Sequence, residues 1–596
     1  MNNNRINPFA VVITMLAGGW AANLLSMQAR IELAAKTPID QLVMKTILVL
    51  NNPFRISLEK TDLLVALGGM TAVGLAWMVK WTNRKNYRMG EEYGTARWGD
   101  QADMAPFTDS DVQQNLQMTA TEGLSLDAKA THRNINVLVS GSSGSGKTRS
   151  YVMPNILRVN MSMAITDPKG EIYRTTKEKL EESGYKVRKL DLVDLKKSSR
   201  FNPMHYINKD SPEASIMTLT ENLIANTDNP DKKGGGGDEF WTKAERALYN
   251  ALISWVYFTH LDEPDKASLN EVVDMIGKME ASEQNENMMS EIDATMAAAR
   301  DIVNEVTKNK DEWSDDVQVM CRGLSFACGQ YRVFTQGAGE TKKSIIISAG
   351  VRLAPMQMID IRDILATDTI QLDHAGKERT AIFLIMSDTS TTFNFLAAIF
   401  YQALFEANIY EADHQDTGEL PVPLHFYMDE FANIGQIPGF VQKLATIRSR
   451  KISCSIIIQN LAQLKSRYKD DWETIVGNCD SFLFLGGKEQ TTTEFVSKTL
   501  GKATIDMKEI SQNKGASGSM TISNRSLGRE LMLPDELAQM PDDHCVYLLR
   551  GCRPFYSRKT VPGKPTPKPK SRLKHSKDWM PLRPIKTDHA KNGQDD

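Results

Sequence analysis

Residues 134–148 read NINVLVSGSSGSGKT, and the order of residues within this stretch decides the fold. The first seven, Asn134 to Ser140, form a short apolar run of strand character. The next eight, Gly141, Ser142, Ser143, Gly144, Ser145, Gly146, Lys147 and Thr148, match G-x-x-x-x-G-K-[ST] at every fixed position. Tyr151, Val152, Ile156 and Leu157 then predict an apolar helix. Strand, glycine turn and helix N-terminus together present backbone N–H groups and a positive dipole end to phosphate oxygens. Glycines let the loop wrap closely, Lys147 is expected at the β- and γ-phosphates, and Thr148 at a Mg²⁺ ion. The expected ligands are ATP and Mg²⁺.

Hydrolysis also needs an acid beside the metal and a group that handles water. Residues 424–430, LHFYMDE, offer both, as an apolar strand ending in two carboxylates. Asp429 is expected in the Mg²⁺ shell and Glu430 as the group that orients or deprotonates the attacking water. Paired acids are common at solvated strand ends, so it is the complete phosphate loop upstream that gives this pair its meaning.

Working outward, strand-like runs at 134–140, 161–167, 380–387, 424–429, 453–459 and 481–486 alternate with helix-like stretches, the pattern of a parallel α/β sheet. Residues 212–335 contain almost no such runs. Ala244, Leu248, Leu252 and Val256 instead recur at helical spacing, which predicts an all-α insertion. Gly234 to Gly237 reads as its flexible entry. Asp167 and Lys169 close a strand where open sheets bind ligands, although Asp-Pro-Lys-Gly is equally a turn. A chain of 596 residues suggests two or three domains, and a net charge of −3 confines any DNA contact to local patches. The cysteines form no C-x-x-C pair and have no histidines at zinc spacing, so inert thiols are expected rather than a metal site.

The chain opens on uncharged apolar segments. Residues 8–27 are about the length needed to cross a bilayer, and residues 63–79 are at the short end of that range. Lys80, Arg84, Lys85 and Arg88 crowd the end of the second segment, which places that end in the cytoplasm, with Arg5 on the same side. Residues 28–62 would then lie outside. Their apolar run, Leu42 to Leu50, is too short to span and suits the interface. The expected localisation is the cytoplasmic membrane, multi-pass, with a large cytoplasmic body.

Several further landmarks occur in order: Gly94-Thr95-Ala96-Arg97-Trp98, Thr166-Asp167-Pro168-Lys169-Gly170-Glu171, Arg200-Phe201-Asn202-Pro203, Asp238-Glu239-Phe240-Trp241, Met428-Asp429-Glu430-Phe431 and Leu533-Pro534-Asp535-Glu536-Leu537. With the phosphate loop, this set resembles the TraG-like coupling proteins of conjugative type IV secretion over roughly residues 90–560. The resemblance implies a RecA-like nucleotide-binding domain at 86–211 and 336–560, interrupted by the all-α domain at 212–335. It also implies a membrane anchor at 1–85 and assembly as a homo-oligomer, a hexameric ring around a channel. The implied activity is ATP hydrolysis that drives or gates transfer of single-stranded DNA, with its relaxase, into the components of the secretion channel. Arg448 stands where the family places an arginine that reaches the neighbouring subunit's nucleotide, although Arg448, Arg450 and Lys451 also complement a helix C-terminus. Gln459, ending the run SCSIIIQ, is expected to sense the γ-phosphate or position water.

From Lys564 onward proline and lysine dominate, with nine Lys/Arg against four Asp/Glu in residues 564–596. This composition predicts a disordered basic tail at 561–596. Residues 511–529, rich in Gly, Ser and Asn, read as a surface loop. Two other functions fit the same motifs: a coupling ATPase for protein effectors only, and a membrane receptor that uses nucleotide for assembly rather than as a motor.

Overall fold

The structure is a computed structural model that describes residues 8–49, 54–82, 90–227, 238–281, 289–337, 339–513 and 519–583. Arg5, Arg84, Lys85 and Arg88, which carry the orientation argument, lie outside these residues, as do Gly234 to Gly237 and residues 584–596 of the tail. The chain divides into two compact units, Met1–Glu92 and Tyr93–Asp596.

The first unit contains helices Pro8–Ala34, Ile39–Leu48 and Lys60–Thr82. The outer two are long and apolar enough to cross a membrane, and each extends beyond the uncharged run that predicted it. Only 17% and 6% of their most apolar windows are buried, which a core helix of a soluble domain would not tolerate. They pack through small residues, as close helix pairs in lipid do. A Cβ added at Gly69 would sit 2.6 Å from the Ala22 side chain. At one end Asp62 is fully satisfied by Ser26, Ser57 and Arg30. Short helix Ile39–Leu48 buries none of its residues.

The second unit is built on a nine-stranded sheet. In chain order its strands are β1 (Val137–Ser140), β2 (Ser162–Asp167), β3 (Lys186–Asp191), β4 (Thr380–Ile385), β5 (Leu424–Met428), β6 (Ile452–Ile458), β7 (Ser481–Phe484), β8 (His544–Leu549) and β9 (Phe555–Arg558). Their spatial order is β9-β8-β7-β1-β6-β5-β2-β4-β3, parallel from β7 to β3, while β8 is antiparallel to both its neighbours. Every residue of β1, β2, β4, β5, β6 and β7 is buried. This is why these strands read as unbroken apolar runs: helices cover both faces of a parallel sheet. Successive residues serve opposite faces, so Leu138, Ala164 and Phe426 join one apolar cluster and Val139, Ile165 and Tyr427 the other.

Three strands of this sheet were not expected. Edge strand β3 is KVRKLD, whose charges suit an edge and hide it from an apolar count. Strands β8 and β9 close the opposite side. Of the predicted surface loop at 511–529, residues 511–513 and 519–529 instead belong to two long antiparallel strands, Lys502–Asn513 against Ser519–Glu530, and residues 514–518 lie outside the described residues. Both strands are largely exposed and polar, so they show in the pairing rather than in an apolar pattern. The helical stretch also runs past its expected end at 335. Helices Gly339–Arg352 and Ile359–Leu365 belong with it, tied by Tyr249 Oη donating to Ala349 O at 2.9 Å and Arg362 paired with Asp274 at 2.8 Å. These helices share one continuous core with the sheet.

The tail departs from expectation as well. Residues 561–583 contain no helix or strand, yet they run as a strap along residues 102–127 rather than as a disordered chain. The Arg572 backbone N–H donates to Ala105 O at 2.7 Å, Ser571 Oγ to Thr108 O at 2.6 Å, and the Ser576 N–H to Asp127 Oδ2 at 2.8 Å. His575 stacks on Trp579 and lies 3.3 Å from Asp109. The composition correctly denies the segment a core of its own, and what orders it is a surface supplied by another part of the chain.

Behind the phosphate loop the sheet carries a buried polar chain. Tyr151 Oη meets Ser455 Oγ at 2.6 Å, and His425 spans Ser455 and Ser453 at 2.7 Å each. Complete burial lowers the His425 pKa to about 3, so the ring is neutral in the fold. In the unfolded chain it titrates near ~6.5. The folded pKa is the lower one, so the stability this group confers is present above ~6.5 and is lost progressively as pH falls toward 3. Between pH 7 and pH 5 the loss should be about 2 kcal/mol. Thermal unfolding of the wild type and His425→Gln at both pH values tests this, because the variant should lack that share of the acid sensitivity.

Candidate functional site

The phosphate loop leaves β1 at the carboxyl edge of the sheet, where open α/β sheets bind ligands. Its glycines are required by conformation. Gly144 and Gly146 adopt φ of +78° and +88°, and a Cβ on Gly141 would lie 2.4 Å from Ser145 Oγ. The loop is pinned from both flanking strands: the Gly141 N–H donates to Ile458 O at 3.2 Å and the Ser142 N–H to Gly486 O at 2.9 Å. Ser143 lies at its crown, and Lys147 and Thr148 open the helix behind it.

Strands β1, β6 and β5 are neighbours, so their carboxyl ends converge. Thr148 Oγ1 donates to Asp429 Oδ2 at 2.8 Å. The Glu430 N–H donates to Asp429 Oδ1 at 3.0 Å, and Gln459 Nε2 to Glu430 Oε2 at 3.1 Å. The Lys147 ammonium donates to Gly141 O at 3.0 Å and lies 3.7 Å from Glu430 Oε1. Lys147, Thr148, Asp429, Glu430 and Gln459 therefore form one connected cluster. Glu430 takes a left-handed backbone, φ +50°, an uncommon conformation for a non-glycine residue and one that clusters at functional sites.

Burial pushes the Asp429 carboxyl up to about 6. The Thr148 hydrogen bond opposes this, adjacent Glu430 adds to it, and Lys147 opposes it. A carboxylate so deprived of water is poised to be offset by a cation. With the Thr148 hydroxyl beside it, it makes an oxygen donor pair of the kind hard Mg²⁺ prefers. The residues thus fit the expected ion.

Other candidates fall elsewhere. Asp167 closes β2, three strands from β1, and accepts from the Tyr173 N–H at 2.8 Å as a cap for helix Glu171–Glu182. Lys169 pairs with Asp388. The turn reading of this motif is the one realised. Arg448 does not meet its own phosphate loop: its guanidinium donates to Ala128 O at 3.2 Å and is exposed. Arg450 is committed to Asp413 at 2.6 and 2.9 Å. The six cysteines are free, and among the described residues no His/Cys/Asp/Glu group is arranged to hold a metal by itself.

A family model described as type IV secretory system conjugative DNA transfer matches residues 100–561. The chain belongs to this family. Among characterised relatives, the conjugal transfer protein TraG of Rhizobium radiobacter is 22% identical over 424 residues, 70% of this chain and 60% of that protein. VirD4 of the same organism is 22% identical over 71% of this chain and 56% of its own length. The chain thus spans well under two thirds of either relative. A TraG of Escherichia coli is 22% identical over 80% of this chain and 76% of its own. Among solved structures, the bacterial conjugative coupling protein TrwBdeltaN70 superposes with a TM-score of 0.54 at 14% identity, covering 80% of this chain and 96% of that one. TrwB in complex with ADP and Mg²⁺ gives 0.53, also at 14%. At this identity the likeness concerns the fold, a RecA-like α/β sheet with helical additions.

Proposed function

We propose that this family member is a membrane-anchored coupling ATPase that drives or gates transfer of single-stranded DNA, with its attached relaxase, through a type IV secretion channel. The observation that carries the ATPase reading is the connected cluster of Lys147, Thr148, Asp429, Glu430 and Gln459 at the carboxyl ends of three adjacent strands. The loop amides and Lys147 would bind the phosphate chain of ATP, and Thr148 and Asp429 would hold Mg²⁺. That ion, when bound, helps offset the charge on the phosphates. Glu430, oriented by the Gln459 amide, would accept a proton from the attacking water. Neither Glu430 nor Gln459 is needed simply to bind nucleotide, which favours an enzyme over a receptor.

Helices Pro8–Ala34 and Lys60–Thr82 supply the membrane anchor in this reading. Arg448 would act in a neighbouring subunit, since it is exposed and its guanidinium bonds Ala128 O rather than its own loop, and a hexameric ring would bring it there. The DNA assignment is supported by membership of a family described by conjugative DNA transfer, and the relaxase is the proposal's own addition.

Hydrolysis by the full-length protein in detergent, with and without single-stranded DNA, tests the reading. Wild type should hydrolyse ATP faster with DNA, and Arg448→Ala should keep nucleotide binding while losing most turnover. Turnover indifferent to DNA would redirect the proposal to protein substrates. Full turnover by the Arg448 variant would remove the inter-subunit role.

A further inference from the structure

Lys559 lies beyond every motif in the sequence, 414 residues from the loop position it touches. The topology explains how it arrives. Strand β8 runs against β7 and β9 runs against β8, so β9 points the same way as β1. The residue after β9 is therefore delivered to the carboxyl edge of the sheet, beside the phosphate loop.

There the Lys559 ammonium donates to Ser145 O at 2.8 Å. The residue is 8% exposed, and its own N–H is held by Asp543 O at 2.8 Å. Among the described residues no carboxylate pairs with it; Asp542 and Asp543 act only from a distance, and burial lowers its pKa below the ordinary lysine value. A buried, unpaired ammonium is costly unless an anion comes to it. The peptide it grips is also significant. The Ser145 carbonyl shares a peptide unit with the Gly146 N–H, and a charged donor at that carbonyl polarises the N–H into a stronger donor. Amides of this loop are what bind phosphate.

We propose that Lys559 is a positioning residue of the nucleotide site, pinning the Ser145–Gly146 peptide and placing a second lysine charge at the edge that receives the phosphate chain of a nucleoside di- or triphosphate. This rests on the phosphate-loop reading above. It assigns a nucleotide-dependent task to the segment that leads directly into the strap at 561–583.

The test compares Lys559→Met, Lys559→Arg and Lys147→Ala in the full-length protein. Binding of fluorescent ADP and ATP analogues with Mg²⁺ is measured alongside KM and kcat for ATP. Lys559→Met should weaken binding and raise KM about 10-fold or more, as loss of a charge-assisted hydrogen bond predicts, with kcat falling far less. Lys559→Arg, which keeps charge and donors, should recover most of the affinity. Affinity within twofold of wild type in Lys559→Met would overturn the proposal. So would a rise in KM matched by an equal fall in kcat and a lowered melting temperature that arginine does not rescue, the signature of a merely structural lysine. Unchanged nucleotide binding by Lys147→Ala would instead overturn the phosphate-loop reading, and the role of Lys559 with it.

Discussion

Lys147→Ala is expected to lose ATP hydrolysis to background and to bind nucleotide far more weakly. Lys147 is 7% exposed, and its ammonium is held within the loop by the Gly141 and Ser142 carbonyls, 3.7 Å from Glu430. The charge thus sits inside the cradle whose amides would take the phosphates. Truncating one partner of a desolvated, hydrogen-bonded charge pair costs ~2–5 kcal/mol, or about 30- to 4,000-fold in affinity. Little of this should appear as lost stability. Glu430, its one ion-pair partner among the described residues, is 19% exposed and still hydrogen-bonded by Gln459, so it is not stranded without solvent. Titration with a fluorescent ATP analogue and a melting curve separate the two effects. Wild-type affinity, or a collapsed melting temperature, would refute the assignment.

Glu430→Gln is expected to do something different: bind ATP and fail to hydrolyse it. The substitution preserves shape. A glutamine carbonyl can still accept from Gln459 Nε2, and the backbone hydrogen bond from residue 430 to Asp429 Oδ1 is unaffected. What disappears is the group able to take a proton from water, a contribution of about 10²–10⁴-fold. The variant should retain unhydrolysed ATP after gel filtration, where wild type retains ADP or nothing. Turnover near the wild-type rate would show that Glu430 is not the base. The two variants together dissect the site, since one loses affinity and the other only chemistry.

The phosphate loop, the acid pair and the central parallel strands were legible because their information is local. Positive-φ glycines at 144 and 146, a lysine and threonine at fixed offsets, and apolar runs buried on both faces are all dictated by neighbouring residues. The misreadings share the opposite cause. Strand β3 is charged because it is an edge, the strands Lys502–Asn513 and Ser519–Glu530 are recognisable only through their pairing, and the strap at 561–583 is ordered by residues 102–127. None of these follows from composition.

Residues read in order suffice for the glycine-rich G-x-x-x-x-G-K-T loop on a parallel sheet, the two apolar helices ahead of it and the pair of acids downstream. It takes the folded chain to show that Asp429 meets Thr148 across 281 residues, that Asp167 caps a helix instead of joining the site, and that Lys559 grips the loop. The physical reason is strand order. Which carboxyl ends converge is set by which strands lie adjacent in the sheet, and that adjacency is selected by burial of both faces over the whole domain, a long-range property that no short stretch of residues contains.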